Sequence, residues 1–302
     1  MNRFALLGHP VAHSVSPAMH RAALASLGVQ GTYDAVDVAD EAALRERIGD
    51  LRYGLFGGAN VTLPWKIAAL EAADDVDASA REVSAANTLV VRDGRVVAHN
   101  TDAAGLADDL RALGAVGRTA VVIGAGGGAL AAVVACRALG AGLVAVTSRS
   151  FTSSDTLLES PAADRLRALG ALPCPWPAIE PGATSSKASQ ALRLQLTDIA
   201  ASADLVVQAT SAGMTGAAPG EPVAAIVPWS ALRRDVLVYD LVYTPRETPF
   251  LRAARAEGLR ASHGLGMLAR QGARSLALWT GRQVDAEVMR LAAERALAGQ
   301  GR

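Results

Sequence analysis

Short apolar runs alternate with segments of helical composition along the first third of the chain. Arg3 to Gly8 is an apolar run, and the segment from Pro17 to Gly28 has proline in its first turn and glycine at its end, which is typical of a helix. Further strand-like runs are TYDAVDV and LFGGANVT, and further helix-like segments are EAALRERIG and WKIAALEAAD. In NTLVVRDGRVVAHNTD, Asp93-Gly94 separates two apolar runs and predicts a hairpin. Residues 1–101 are therefore predicted to form an α/β unit of their own.

A second strand–turn–helix pattern surrounds the glycine-rich stretch GAGGGA. TAVVI comes before it and ALAAVVACRALGA follows it. Gly124 permits a sharp turn, Gly126 leaves room for a pyrophosphate, and Ala129 replaces a third glycine where helix and strand pack closely. The N–H groups at the start of the helix suit phosphates. The alternative is an ordinary turn in a Gly- and Ala-rich chain, but the context favours a dinucleotide site formed by Gly124, Ala125, Gly126, Gly127, Gly128 and Ala129.

The residues after the next predicted strand bear on which dinucleotide binds. LVAVT is followed by Ser148, Arg149 and Ser150, where an NAD site usually has an acidic residue for the ribose hydroxyls. A guanidinium suits the additional 2′-phosphate of NADP. A solvated arginine at the end of a strand is the alternative. The sequence predicts NADP as the cofactor, with NAD as a weaker alternative.

The rest of the chain combines two more predicted strands, an irregular segment and a helical end. DLVVQAT and VLVYDLVY are the later strands of the nucleotide-binding unit. Residues 151–200 contain a proline cluster and a serine-rich stretch, so we predict a crossover helix at PAADRLRALG and otherwise a loop or insertion. The end of the chain has a helical pattern in which Gln271, Arg274 and Ser275 recur at helical spacing.

Composition excludes several classes of protein. The 302 residues include 29 Lys plus Arg, 29 Asp plus Glu and only 4% aromatics, so no nucleic-acid-binding surface is indicated. The apolar run in the first residues is shorter than a signal peptide needs, so we expect none, and no run is long enough to span a membrane. Cys136 and Cys174 provide no disulfide framework, and no HExxH, paired-cysteine or GxSxG arrangement indicates a metal or a serine nucleophile. We therefore expect a cytoplasmic protein that acts on a small molecule without a metal, and that does not bind nucleic acid or membrane.

Polar residues recur at the ends of the predicted strands of the first unit. Ser14 and Ser16 flank Val15, so in an extended segment both hydroxyls would face one side. The carboxyl ends of strands in open α/β sheets border the ligand crevice, so such residues predict a site for a polyhydroxylated or carboxylated small ligand. The alternative for each residue alone is helix capping or a turn hydrogen bond. The set comprises Ser14 and Ser16, Asn60 and Thr62, Asn87, and Asn100 to Asp102.

Lys66 stands two residues after Pro64, in the first turn of a predicted helix. An ammonium there opposes the positive end of the helix dipole, and such local conflicts are expected at functional sites. If Lys66 faces Asp102, the two can handle a proton, because reduction of a carbonyl by hydride leaves an alkoxide that needs one. The alternative is a solvated surface lysine.

Eight motifs follow one another along nearly the whole chain: GHPVAHSVSPAMH, GANVTLPWK, AANTLV, HNTDAAG, GAGGGA, QATSAGM, YDLVYTPRETPF and HGLGMLARQGA. This set resembles the shikimate dehydrogenase family. The resemblance implies an α/β protein of two domains, a substrate-binding domain built from residues 1–101 and 265–302 and a Rossmann-like NADP-binding domain with a parallel sheet at residues 102–264, which includes the unusual segment 151–200. It also implies NADP-dependent, reversible reduction of 3-dehydroshikimate to shikimate in chorismate and aromatic amino-acid biosynthesis.

The resemblance assigns roles residue by residue. It implies that Lys66 and Asp102 are the catalytic pair. Substrate-binding residues would be Ser14, Ser16, Asn60, Thr62, Asn87, Tyr243 and Gln271, and cofactor-binding residues would include Thr210, Gly264 and Met267 in addition to the glycine-rich loop and residues 148–150. A monomer or a homodimer is expected.

Two departures from the family pattern keep alternatives open. Members specific for NADP commonly have Asn-Arg-Thr and then a second basic residue, whereas here Ser148-Arg149-Ser150 is followed by Ser153. The segment 151–200 is also longer than usual. A quinate/shikimate or aminoshikimate dehydrogenase with relaxed cofactor use is the alternative enzyme, although Ser16 and Arg149 favour shikimate and NADP. A non-catalytic metabolite-binding relative is the alternative of another class, and the presence of Lys66 and Asp102 argues against it.

Overall fold

The computed structural model describes residues 2–152, 157–177 and 197–300. Two compact units are present. The first contains the chain up to Asp108 together with the part from Gly266 onward, and the second is Asp109–Leu265. The chain first passes from one unit to the other after Asp108, within a helix that begins at Asp102. The compact units therefore divide a few residues after the predicted boundary at 101/102.

The first unit has a mixed six-stranded sheet in the order β2-β1-β3-β5-β6-β4. Its strands are β1 (Asn2–Gly8), β2 (Gly31–Asp37), β3 (Gly58–Val61), β4 (Asp75–Val76), β5 (Thr88–Arg92) and β6 (Arg95–His99). β1 is parallel to β2 and β3, whereas β5 is antiparallel to both β3 and β6. The start of β5 therefore lies at the same edge of the sheet as the ends of β3 and β6.

Five helices follow strands or connect them in the first part of the chain: α1 (Ser16–Ser26), α2 (Glu41–Arg52), α3 (Lys66–Ala72), α4 (Ala78–Val83) and α5 (Asp102–Ala112). Local sequence explains their ends. Asp40 accepts a hydrogen bond from the N–H of Ala43 at 2.8 Å at the start of α2, and Gly28 has a φ of 63° just after α1. The predicted hairpin is confirmed, because Asp93 and Gly94 have φ values of 51° and 74°, as a tight turn of type I′ requires.

The second unit has a six-stranded, fully parallel sheet. Its strands are β7 (Thr119–Ile123), β8 (Leu143–Thr147), β9 (Leu172–Cys174), β10 (Leu205–Gln208), β11 (Leu237–Asp240) and β12 (Arg260–His263). They lie in the order β12-β11-β10-β7-β8-β9. Counted from β7 this is the order 3-2-1-4-5-6 of a Rossmann fold, whose strand order reverses between β7 and β10. The predicted strands TAVVI and LVAVT are β7 and β8 residue for residue.

The α-helices that lie wholly within the described residues of the second unit are α6 (Gly127–Ala138), α7 (Pro161–Ala168), α8 (Glu221–Ala225) and α9 (Pro249–Ala256). α7 is the crossover helix predicted at PAADRLRALG, and the Ser160 hydroxyl caps it by accepting from the N–H of Ala163 at 3.3 Å. Residues 153–156 and 178–196 lie outside the described residues, and with them most of the predicted insertion and the position of Ser153.

The last two helices, α10 (Leu265–Thr280) and α11 (Ala286–Gln300), complete the first unit, where α11 packs against α1. α10 lies close to the first sheet: an added Cβ on Gly58 of β3 would come within 2.2 Å of the Trp279 ring. None of the helices in the described residues is both long and apolar enough to cross a membrane.

Candidate active site

Lys66 and Asp102 form an ion pair in the first unit. Lys66 is the first residue of α3 and Asp102 the first residue of α5, and Nζ lies 2.6 Å from Oδ2. The side chains are 16% and 6% exposed. At the start of a helix, the dipole favours the carboxylate of Asp102 and disfavours the ammonium of Lys66. The ion pair places the negative charge beside the disfavoured positive one. The two residues that the sequence predicts to act together are therefore in direct contact.

Asn100 holds Asp102 in place. Its Oδ1 accepts hydrogen bonds from the N–H groups of Asp102 at 3.0 Å and Ala103 at 3.2 Å, as a helix-capping side chain does. Its Nδ2 donates to the carbonyl oxygen of Ala85 at 2.8 Å. Because Asn100 is only 4% exposed and bonded on both sides of its amide, the start of α5 has one well-defined position.

Two amides extend the pair into a buried polar cluster. Asn87, directly before β5, places its Nδ2 2.9 Å from Oδ1 of Asp102 and 3.1 Å from Oε1 of Gln271 on α10. α10 approaches α5 closely enough for this only because residue 105 is glycine: an added Cβ would lie 2.8 Å from the backbone nitrogen of Gln271. The structure thus brings together Lys66, Asn87, Asp102 and Gln271, four of the predicted site residues.

Asn60 belongs to the same cluster but is occupied by protein partners. Its Oδ1 accepts from the hydroxyl of Tyr33 at 2.9 Å. Its Nδ2 lies 3.1 Å from the carbonyl oxygen of Asn87, 3.1 Å from Oγ1 of Thr88 and 2.9 Å from Oγ of Ser275. With 5% of its surface exposed, Asn60 is a buried connector at the end of β3.

The geometry expected for Ser14 and Ser16 is wrong. Val15 has helical dihedral angles (φ −84°, ψ −5°), and Ser16 is already the first residue of α1, so the segment is not extended and alternation does not put both hydroxyls on one side. The segment is helical rather than extended because Pro17 favours the first turn of a helix. The Ser14 hydroxyl accepts from the N–H of Ser16 at 3.2 Å. Within the described residues, no hydrogen bond joins Ser14, Ser16 or Thr62 to the buried cluster.

The glycine-rich loop follows β7 at the reversal point of the second sheet. Gly124 has a φ of 130°, and an added Cβ would lie 3.0 Å from the carbonyl oxygen of Ala209, so this turn requires glycine. Gly126 is exposed, precedes α6 and has nothing within 4 Å of an added Cβ, so the space beside the start of α6 is open. Ala129 is fully buried in the helix. These features fit a pyrophosphate at the start of α6.

Residues 148–150 follow β8, on the neighbouring strand. The hydroxyls of Ser148 and Ser150 are 3.1 Å apart, and Arg149 is exposed. Thr210, after β10, accepts at Oγ1 from the N–H of Ala212 at 3.1 Å. An exposed guanidinium beside two hydroxyls fits the 2′-phosphate of NADP.

The other predicted residues are divided between the units. Tyr243, between β11 and α9, is partly buried, and desolvation raises the pKa of its phenol. Gly264 follows β12, where an added Cβ would lie 2.2 Å from the carbonyl oxygen of Leu241, so packing alone requires glycine there. Met267 lies on α10 in the first unit and is 8% exposed.

The comparisons with known proteins agree with this architecture. Residues 6–89 match the family Shikimate dehydrogenase substrate binding domain, and residues 264–294 match the Shikimate 5′-dehydrogenase C-terminal domain. The Shikimate dehydrogenase (NADP(+)) of Symbiobacterium thermophilum is 39% identical over 297 residues, covering 98% of this chain and 94% of that protein. The chain belongs to the shikimate dehydrogenase family.

Two solved structures show how widely the family's fold is used. The shikimate 5-dehydrogenase of Thermus thermophilus, crystallised with NADP(H) and shikimate, is 38% identical, with a TM-score of 0.80 and coverage of 98% of this chain and 100% of that one. The ligand-free 5-ketofructose reductase of a Gluconobacter strain is 27% identical, with a TM-score of 0.76 and coverage of 97% and 98%. Because these two proteins share a fold but are named for different substrates, the fold alone does not identify the substrate, and individual side chains must.

Several members of the buried cluster in this shikimate dehydrogenase family chain were not singled out as site residues from its sequence. They are Tyr33, Thr88, Gly105 and Ser275, whereas Asn100 and Thr101 belong to the polar set predicted to border a ligand site. Two local signals were available: Thr88 directly follows Asn87, and Ser275 lies one helical turn after Gln271. Tyr33 has no such signal, because it reaches Asn60 only through the packing of its fully buried ring.

Proposed function

We propose that the protein is an NADP-dependent shikimate dehydrogenase, an oxidoreductase that reversibly reduces 3-dehydroshikimate to shikimate in the route to chorismate and the aromatic amino acids. The observation that carries the proposal is the buried pair of Lys66 and Asp102, bonded to Asn87 and Gln271, in a chain 39% identical to a shikimate dehydrogenase over nearly its full length.

The reaction needs a hydride, which NADPH supplies when bound, and a proton. Lys66 donates the proton from Nζ to the substrate oxygen as the carbonyl becomes an alcohol, and in the oxidative direction it accepts the proton back. Asp102 orients the ammonium through the 2.6 Å contact and balances its charge in a site with little exposure to water. The nearby amide of Asn87 keeps the second carboxylate oxygen bonded, so the carboxylate presents a single orientation.

Polar side chains of the first unit would recognise the substrate. We propose that Ser14, Ser16 and Thr62 contact its carboxylate and that Gln271 donates to one of its hydroxyls, with Asn87 and Tyr243 as neighbouring contacts. Gln271 has a hydrogen available for this, because its Nε2 carries two and donates one to the carbonyl oxygen of Leu268 at 2.9 Å. Asn60 contributes through its neighbours, since protein acceptors surround its amide.

The cofactor residues are proposed on the geometry of the second unit and on the family pattern. The loop from Gly124 to Ala129 would hold the pyrophosphate, and Ser148, Arg149 and Ser150 the adenosine 2′-phosphate. The family pattern adds Thr210, and Gly264 and Met267 for the nicotinamide. We further propose that the enzyme works in the cytoplasm, where NADP(H) is available, as a monomer or a homodimer, which light scattering of the purified protein would distinguish.

Initial rates of cofactor reduction test the proposal. The purified protein is assayed with shikimate and quinate, each with NADP and with NAD, and the reverse assay includes 5-ketofructose with NADPH. We expect shikimate with NADP to exceed every other pairing by at least about tenfold in kcat/KM, equivalent to one lost hydrogen bond or charge contact. Comparable rates with quinate or NAD would indicate a broad-specificity enzyme, and no activity with any substrate would favour a metabolite-binding protein. A Lys66→Met preparation controls for contaminating activity.

A further inference from the structure

Three hydroxyl groups meet behind the predicted substrate-binding amides. Oγ of Ser275 lies 2.8 Å from Oγ1 of Thr88 and 3.0 Å from Oγ1 of Thr101, and the two threonine oxygens are 3.3 Å apart. Thr88 and Ser275 are fully buried and Thr101 is 5% exposed. The three residues come from β5, from the segment after β6 and from α10. A set of hydroxyls this deeply buried is satisfied only if each takes a defined donor or acceptor role.

The backbone dictates the orientation of the Asn87 amide. The N–H of Thr101 donates to Oδ1 of Asn87 at 2.8 Å, and since an N–H cannot accept, the atom facing it must be the oxygen. The Thr88 hydroxyl, at 2.9 Å, donates to the same oxygen. Nδ2 thereby faces three protein acceptors, Oγ1 of Thr101, Oδ1 of Asp102 and Oε1 of Gln271, which use both of its hydrogens.

The orientation of Asn60 follows in the same way. Its Nδ2 faces the carbonyl oxygen of Asn87, which can only accept. Its second hydrogen goes to the hydroxyl oxygen of Ser275 or Thr88. Both donor hydrogens of Asn60 are therefore used within the protein, and its effect on a ligand passes through Asn87.

Ser275 connects this network to α10. Its hydroxyl donates to the carbonyl oxygen of Gln271 at 3.0 Å, one turn earlier in the helix. Its lone pairs then accept from Thr101 and from Asn60, since Thr88 donates its hydrogen to Asn87. In this scheme every polar atom of the cluster has a partner, and the turn of α10 that carries Gln271 is tied to the end of the sheet.

We propose that Thr88, Thr101 and Ser275 are positioning residues for substrate binding, because their hydroxyl cluster fixes the Asn87 amide, and with it Gln271, in the orientation that leaves the second Nε2 hydrogen of Gln271 ready for a substrate hydroxyl. This inference rests on the proposed shikimate dehydrogenase function and deepens it. None of the three hydroxyls needs to touch the substrate.

The first test compares Thr88→Val with Thr88→Ser. Valine has the shape of threonine without the hydroxyl, so Asn87 loses one donor and Asn60 loses one acceptor. We expect KM for shikimate to rise about tenfold, the value of one hydrogen bond, with a smaller change in kcat and with KM for NADP within about twofold of wild type. Thr88→Ser keeps the hydroxyl and should return KM for shikimate toward the wild-type value.

Thr32→Val is the matched control. Thr32 lies on β2 of the same sheet, and its buried hydroxyl has no hydrogen-bond partner among the described residues. Its removal should leave both KM values unchanged. An unchanged KM for shikimate in Thr88→Val would overturn the proposal, and so would a Thr88→Ser variant as impaired as Thr88→Val, because the methyl group rather than the hydroxyl would then matter.

A stability measurement separates this inference from the proposed function. Ser275→Ala, Thr88→Val and the double variant are unfolded in urea. If the hydroxyls form one network, the double variant should lose less in urea midpoint than the sum of the two single losses, whereas Thr32→Val combined with Ser275→Ala should be additive. Additivity in the first pair overturns the cluster whatever the activity. Wild-type protein inactive on shikimate would refute the proposed function alone.

Discussion

Nζ of Lys66 lies 2.6 Å from Oδ2 of Asp102, across 36 residues of chain. Each residue is the first of its helix. The helix dipole disfavours the positive charge of Lys66 at that position and favours the negative charge of Asp102. Removing either partner leaves a largely buried charge without compensation, which is costly. Local conflicts of this kind are expected at functional sites, and this ion pair lies beside the amides of Asn87 and Gln271.

Lys66→Met should remove the proton donor while keeping most of the side-chain volume. We expect kcat for shikimate oxidation to fall about 10²–10⁴-fold, as for loss of a general acid–base group, with a much smaller change in KM for shikimate. Steady-state kinetics at saturating NADP measures both parameters. A large rise in KM with turnover retained would make Lys66 a binding residue instead.

Oxidation of shikimate should accelerate from neutral to alkaline pH. Oxidation of the alcohol releases a proton that needs an acceptor, so the reaction in this direction is favoured as the proton concentration falls. Initial rates at saturating substrate and cofactor, measured between neutral and alkaline pH, give the profile. A flat profile would count against Lys66 as the base, provided that the protein remains folded over the range.

Arg149→Asp should reduce the preference for NADP over NAD. The exposed guanidinium after β8 is the proposed partner of the 2′-phosphate, and a carboxylate there would repel it. We expect KM for NADP to rise about tenfold or more, with KM for shikimate unchanged. Arg252→Asp, on α9, makes the same change of charge at another exposed position of the second unit. Equal effects of the two substitutions would remove Arg149 from the phosphate site.

His20 should make the first unit sensitive to acid. It is fully buried and stacks on Tyr33 with ring centroids 3.9 Å apart. Its Nδ1–H donates to the carbonyl oxygen of Ser16 at 2.9 Å, but Nε2 has no partner among the described residues. Burial lowers the pKa of His20 from 6.5 to about 4.

The sign of the effect follows from this shift. Between pH 6.5 and 4 the unfolded chain binds a proton that the folded protein does not, so the free energy of unfolding falls as the pH falls. The loss attributable to His20 is roughly 3 kcal/mol over the window. His20→Phe keeps a stacked ring without titrating, and urea unfolding at neutral and acid pH should show a weaker pH dependence for this variant. Identical dependence in both proteins would contradict the assignment.

Gly105→Ala should disturb both stability and substrate binding. The new methyl group would lie 2.8 Å from the backbone nitrogen of Gln271 and would push α10 away from α5. We expect a loss of about 1–3 kcal/mol in the free energy of unfolding, typical of overpacking, and a rise in KM for shikimate. Gly49→Ala in α2 is the control, because its methyl group meets nothing within 4 Å and should stabilise the protein by about 0.5–1 kcal/mol. A tolerated Gly105→Ala would mean that the helices can separate without cost.

Much of the fold is local and could be predicted from the sequence. TAVVI and LVAVT became β7 and β8, Asp93-Gly94 became a hairpin turn, and Gly124 adopted the positive φ of a tight turn. Apolar periodicity and the conformational freedom of glycine act within a few residues, so a short window contains the cause. The contact between Lys66 and Asp102 was predicted from signals of the same local kind, since each residue stands at a helix start or strand end where packing does not explain it.

Other features were decided only by tertiary structure. The extended geometry predicted around Val15 was wrong, because alternation along a strand does not apply once α1 begins at Ser16. The contact between Thr88 and Ser275 joins residues 187 positions apart, and it exists because Gly58 and Gly105 let α10 approach the sheet and α5. Hydrogen bonds between buried hydroxyls depend on a few tenths of an ångström in the separation of packed elements, and no local pattern in the chain encodes that separation. The sequence by itself thus determined the elements and the chemistry available at their ends, whereas packing decided which polar groups face a ligand and which are used up inside the protein.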